Sequence, residues 1–168
     1  MTVIDVHAHA FPDALAPRAI AALEAECPWK AFGDGTIASL VDSMDAAGVA
    51  ASVVCAIATR SGQEAGILSW CEQIRSERII PFPSVHPQTE DRAAWIERFA
   101  EAGFAGVKIH PMYQACPIDD DAWDSVYAAC RDAGLLVTSH CGYDIAYPED
   151  DDRAAPRRTA DVLDRFSG

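Results

Sequence analysis

The sequence is short of positive charge: 13 Lys and Arg stand against 26 Asp and Glu, a formal net charge of −13 with histidine neutral. A chain so acidic has little with which to neutralise a phosphate backbone, which argues against a general nucleic-acid binder. The same balance argues against an anionic membrane surface as partner. Long hydrophobic runs are absent, and with no stretch of 18 apolar residues no segment reads as a membrane span. The opening Met1-Thr2-Val3-Ile4-Asp5 has neither a basic nor an apolar leader region, so no secretory signal is read and the expected location is cytoplasmic. Six cysteines are present (Cys27, Cys55, Cys71, Cys116, Cys130, Cys141), but no Cys-x-x-Cys pair. Four of them lie in apolar runs, so reduced thiols packed as small hydrophobes are expected, not a disulfide framework. Gly-x-Gly-x-x-Gly, Gly-x-x-x-x-Gly-Lys-Ser/Thr and Gly-x-Ser-x-Gly are all missing, which leaves nucleotide-binding and serine-hydrolase readings without support.

What is present is a chain of 168 residues, half of them hydrophobic, enough for one domain with a filled core. Short apolar runs rich in β-branched residues recur at 3–9, 51–57, 79–85, 104–110 and 135–140. Each is nearly continuous in hydrophobicity, as a parallel strand covered on both faces would be. Pro81 and Pro83 count against the third as a regular strand. Helical patterns lie between the runs. Ile37, Leu40, Val41 and Met44 share a face, with Gly48 as the stop. A second helix is expected over 64–77. A third has Thr89 as N-cap and Trp95, Ile96 and Phe99 on one face. A fourth opens at Asp119-Asp120-Asp121, buries Trp123, Val126, Tyr127 and Cys130, and stops at Gly134. A fifth covers 156–166. The runs begin 48, 28, 25 and 31 residues apart, and the longer first interval contains an extra segment from Pro12 to Cys27. Strand and helix alternate five times with no linker, so residues 1–168 read as a single α/β domain with a parallel sheet.

The residues that carry chemistry cluster at strand ends. Asp5-Val6-His7-Ala8-His9 closes the first run, and alternation along a strand puts His7 and His9 on one side, where two imidazoles can chelate a divalent ion. Asp5 lies one step back on that side, placed to orient a ligand from behind. His140 ends the fifth run, His110 the fourth, and His86 follows the third, so all five histidines sit at C-terminal ends of candidate strands, where α/β folds place their sites. Metal binding is read for His7, His9 and His140, and a structural role for His86. Lys108 shares a strand face with His110. It fits a Schiff-base nucleophile, a carboxylated metal bridge, a charge for a substrate carboxylate, or a lysine paired to an acid. Cys141, beside His140, points to the opposite face.

Three segments, Ile4-Asp5-Val6-His7-Ala8-His9, Gly106-Val107-Lys108-Ile109-His110-Pro111 and Val137-Thr138-Ser139-His140-Cys141-Gly142, resemble in order and spacing the amidohydrolase superfamily. The nearest branch is the amidohydrolase-2 group, which includes aminocarboxymuconate-semialdehyde decarboxylase and its relatives. The stretch 156–168 is similar to the helix before that branch's sixth strand. TatD-like nucleases fit less well, carrying a glutamate where Lys108-Ile109-His110 stands. The resemblance implies a metal-dependent (β/α)8 barrel of TIM type, of which about the first five β/α units are present. It implies zinc, or another divalent ion, on His7, His9 and His140. It also implies a sixth-strand histidine and an eighth-strand aspartate that is both ligand and proton shuttle. A complete barrel needs eight strands and typically ~250 residues, so the expectation is a fragment of a longer protein or a truncated gene product.

The function expected from this is metal-dependent hydrolysis of an amide, lactone or related bond in a small acidic substrate, with Lys108 or His110 holding a carboxylate or oxyanion. Non-oxidative decarboxylation is the alternative within the family. A catalytically incomplete metal-binding fragment, and a class I aldolase using Lys108 without metal, are the alternatives outside it. Little turnover is expected of the chain alone; robust zinc-dependent turnover would mean that another group, such as Asp144 or Lys108, replaces the eighth-strand acid. With five parallel strands the first and fifth keep open edges, so self-association, or association with a C-terminal part, is expected.

Overall fold

Parallel strands alternate with helices along the whole chain. A computed structural model describes residues 2–166. The order is β1 (Ile4–Ala8), α1 (Ala16–Glu26), α2 (Ile37–Ala47), β2 (Ala51–Cys55), α3 (Glu64–Ile74), β3 (Ile79–Phe82), α4 (Arg92–Glu101), β4 (Gly106–Ile109), a 3₁₀ turn (Asp121–Trp123), α5 (Asp124–Ala133), β5 (Leu136–Ser139) and α6 (Pro156–Phe166). All ladders are parallel, running β1-β2-β3 in one group and β4-β5 in another. Among the described residues no helix is long and apolar enough to cross a membrane, and all six cysteines are free.

The local chemistry explains most boundaries. Thr36 caps α2 by accepting the Ser39 N–H at 3.1 Å, and Gly48 ends the helix at φ 68°, a left-handed turn that suits glycine. Ile37, Leu40 and Val41 of α2 pack with buried Met44, Val54 and Ile79. The larger core lies under α4 and α5, where Ile96, Phe99, Trp123, Val126, Tyr127 and Cys130 meet Val107 and Ile109 of β4. Alternation then sends Lys108 and His110 to the opposite face of that strand.

Three expectations are corrected. The third strand ends at Phe82, short of residue 85, and α3 ends at Ile74, short of residue 77. Proline has no N–H, so Pro81 and Pro83 cannot donate across a ladder. In place of a β3–β4 ladder, the Lys108 N–H donates to the Pro83 carbonyl at 2.8 Å. Thr89 does not cap α4. Asp91, at φ 51°, takes that position, and the Thr89 hydroxyl donates to Glu64 and lies near Ser61.

The join between the two strand groups is tight at Gly106. A methyl group there would lie 2.4 Å from the Phe82 ring and 2.6 Å from the Leu136 carbonyl oxygen. Outer strands are more open: among the described residues β1 pairs only with β2 and β5 only with β4, leaving Val6 66 % and Leu136 65 % exposed. Replacing Gly106 by alanine should therefore destabilise the fold by about 1–3 kcal/mol, the usual cost of overpacking. Urea unfolding of Gly106→Ala measures this; an unchanged midpoint would show that Phe82 and β5 yield freely.

Candidate functional site

The C-terminal ends of β1, β4 and β5 bring four histidines and a lysine together. In β1 the register slips between Asp5, paired with Ser52, and Ala8, paired with Val54, so three steps on β1 match two on β2. This irregularity falls across Val6 and His7, and bulges commonly re-aim side chains beside active sites. The Asp5 carboxylate accepts the His7 backbone N–H at 2.9 Å, so it fixes the His7 main chain. The His7 and His9 Nε2 atoms lie 3.1 Å apart. Two nitrogens bound to one tetrahedral ion at 2.0–2.1 Å would stand roughly 3.3 Å apart. His9 Nδ1 is 2.9 Å from the Cys55 carbonyl oxygen; donation to it leaves Nε2 with its lone pair free.

Lys108 is fully buried, and its Nζ lies 2.8 Å from His7 Nε2. The Lys108 amine thus already sits against the His7 imidazole. On the same strand face, His110 stacks on His140 with ring centroids 4.4 Å apart and planes 9° from parallel. His110 Nε2 faces Asp144 Oδ2 at 3.7 Å. His110, His140 and Asp144 form a trio whose ligand atoms all lie within 4.8 Å of one another. His140 belongs to this trio; among the described residues His7, His9 and His140 do not come within that distance as a set, and the His140 Nε2 is buried with no hydrogen-bond partner. A buried polar atom without a partner is costly in a folded protein, and a bound ion is one way to satisfy it.

The cluster holds its bases neutral. Burial lowers the His110 pKa to about 3, helped by His140 and Lys108. Burial, then Lys108 and His7, lower His9 to about 4. His7 and His140 are lowered chiefly by burial, with Lys108 adding to it, while Asp144 pulls His140 the other way. Burial lowers Lys108 as well. Neutral imidazoles are the form that binds metal.

Other residues fall outside this group. His86 is buried, gives its N–H to Glu64 at 3.0 Å and accepts the Gln88 N–H on Nδ1 at 3.2 Å, a structural arrangement. Cys141 is exposed, with its sulfur 3.8 Å from the Thr159 hydroxyl on α6. Three neighbours of the site have no motif to reveal them: the Cys55 carbonyl, Tyr113, tilted 49° against His110 with ring centroids 4.3 Å apart, and the buried Gln114.

Comparison with known proteins decides the lineage. The amidohydrolase family model (Amidohydro_2) matches residues 4–168. The chain belongs to the amidohydrolase family. Solved structures share its fold at low identity. One is 5-carboxyvanillate decarboxylase from Sphingomonas paucimobilis, 15% identical with TM-score 0.73, over 99% of this chain and 65% of that one. Another is a probable 2-pyrone-4,6-dicarboxylic acid hydrolase of Acinetobacter baumannii with citric acid bound, 15% identical with TM-score 0.55, over 84% and 50%. A third is a 5-carboxyvanillate decarboxylase from Novosphingobium aromaticivorans with bound manganese, 14% identical with TM-score 0.58, over 90% and 53%. A search of curated protein sequences finds no match. The fold is of the TIM-barrel type, and this amidohydrolase chain spans between about half and two thirds of the length of these structures.

The histidine cluster sets a pH dependence. Unfolded histidine titrates near 6.5, whereas His110, only 4 % exposed, stays neutral down to about 3. Between those values the unfolded chain binds more protons, so stability falls as pH drops from about 6.5 toward about 3. Urea midpoints measured in chelator from pH 7.5 to 4.5 should decline, and His110→Gln should flatten the decline. A midpoint constant over that range would contradict the assignment.

Proposed function

We propose that the chain carries the histidine half of a metal-dependent hydrolase acting on an amide, lactone or related bond of a small carboxylic acid. The observation that carries this is the His7–His9 pair at chelating separation, together with the partnerless Nε2 of His140 at the end of β5. His7, His9 and His140 would hold the ion, and zinc suits three neutral imidazoles. Such an ion supplies Lewis acidity and lowers the pKa of bound water toward ~7.

The chain's own groups do the rest. The Cys55 carbonyl holds the proton of His9 on Nδ1 and so keeps its Nε2 available. Asp5 pins the main chain of His7. Lys108 and His110 face the same space from β4, and their hydrogens can meet a substrate carboxylate or a developing oxyanion. Asp144, 3.7 Å from His110, stands where a carboxylate can accept a proton through that imidazole. A cluster of bases with few acids favours an anionic substrate despite the chain's net negative charge. The citric acid in the Acinetobacter structure accords with that preference. Decarboxylation is the second reading, supported by the 5-carboxyvanillate decarboxylases that share the fold.

Two measurements test the proposal together. Protein purified without chelator should carry up to one divalent ion per chain, and the double variant His7→Ala/His9→Ala should lose most of it. On small lactones, amides and aromatic carboxylates this chain alone should show little turnover, and such hydrolysis as it shows should depend on zinc. Carbon dioxide release without hydrolysis would move the assignment to the carboxy-lyase reading. Full metal occupancy in the double variant would defeat both.

A further inference from the structure

The turn after β4 is held by a side chain to which the proposed function gives no chemical role. Gln114 is 2 % exposed, and both halves of its amide are engaged. Oε1 accepts the His110 backbone N–H at 2.7 Å. Nε2 donates to the Val85 carbonyl at 2.8 Å and the Ala58 carbonyl at 3.1 Å, and lies 3.3 Å from the Ser84 hydroxyl. One amide therefore ties together the segments that follow β2, β3 and β4. It does so where Pro81 and Pro83 deny β3 a regular ladder to β4. The Gln114 backbone N–H returns to the His110 carbonyl at 2.9 Å, so the two residues lock in both directions. Within this closed turn the Tyr113 N–H donates to His110 Nδ1 at 3.4 Å. An accepting Nδ1 places the ring proton on Nε2, the nitrogen that faces Asp144.

We propose that Gln114 is a positioning residue. It fixes His110 as an Nε2–H donor, so that this nitrogen carries a proton and offers no lone pair to an ion held by His7, His9 and His140. The division of labour rests on the metal reading above; the placement of the His110 proton does not.

The full chain labelled with nitrogen-15 histidine, kept in chelator at neutral pH, reports each ring's tautomer in long-range proton–nitrogen spectra. Wild-type His110 is expected as a single Nε2–H tautomer. In Gln114→Met, close in shape but without the amide, His110 should become a mixture of tautomers while zinc affinity, read by competition with a chromophoric chelator, is unchanged. Gln114→Glu keeps an acceptor for the His110 N–H and should retain the wild-type signal. Wild-type His110 protonated on Nδ1 overturns the proposal without any variant, as does a folded Gln114→Met chain with His110 unchanged. Should Gln114→Met fail to fold, the wild-type tautomer and Gln114→Glu decide, and loss of the signal in Gln114→Glu counts against it. A wild-type chain that binds no zinc but shows the expected His110 tautomer removes the metal reading and leaves the placement of the proton standing.

Discussion

Alternation along β4 couples the core to the chemistry. Val107 and Ile109 are buried under α4 and α5, and that burial is what holds the strand in register. Fixing those two residues fixes the direction of Lys108 and His110 with no further choice. A slip by one residue would expose two apolar side chains and bury the basic pair among helices. The hydrophobic effect therefore does more than stabilise this fold: it aims the functional side chains. The same constraint acts at β1 with less force, because that strand is exposed along most of its length. There the Asp5 carboxylate on the His7 amide and the Cys55 carbonyl on His9 supply what packing does not.

The site's electrostatics follow from this convergence. Lys108 and four histidines share one space, and burial together with mutual repulsion keeps the imidazoles unprotonated. Such a cluster is poor in negative charge compared with the rest of the chain, where Asp and Glu outnumber Lys and Arg two to one. It is suited to a cation bound through nitrogen lone pairs and to an anion bound beside it. The buried amide of Gln114 and the carboxylate of Glu64, which accepts from Gly62, His86 and Thr89, hold the surrounding loops.

Much of this was legible in the sequence, and what was not has a physical reason. Continuous apolar runs marked the strands, and period two within Asp5-Val6-His7-Ala8-His9 marked the paired histidines. The prolines foretold the weakness of the third strand, but not that its ladder to β4 would give way to a single backbone contact and a side-chain amide. Thr89 sits where a helix cap belongs, yet its hydroxyl finds Glu64, 25 residues earlier, a partner that only the tertiary fold supplies. Gln114 reads as an ordinary loop residue, since no pattern separates a buried glutamine from an exposed one. The Cys55 carbonyl is a backbone atom and carries no residue signature at all.

We propose that strand-end imidazoles, brought together by parallel packing, form a metal cradle. X-ray absorption at the zinc edge of the zinc-loaded chain tests it most directly. Three imidazole nitrogens are expected at ~2.0–2.1 Å, with the scattering from His7 and His9 lost in their double alanine variant. A zinc environment without imidazole scattering, or one that the double variant leaves unaltered, would contradict it.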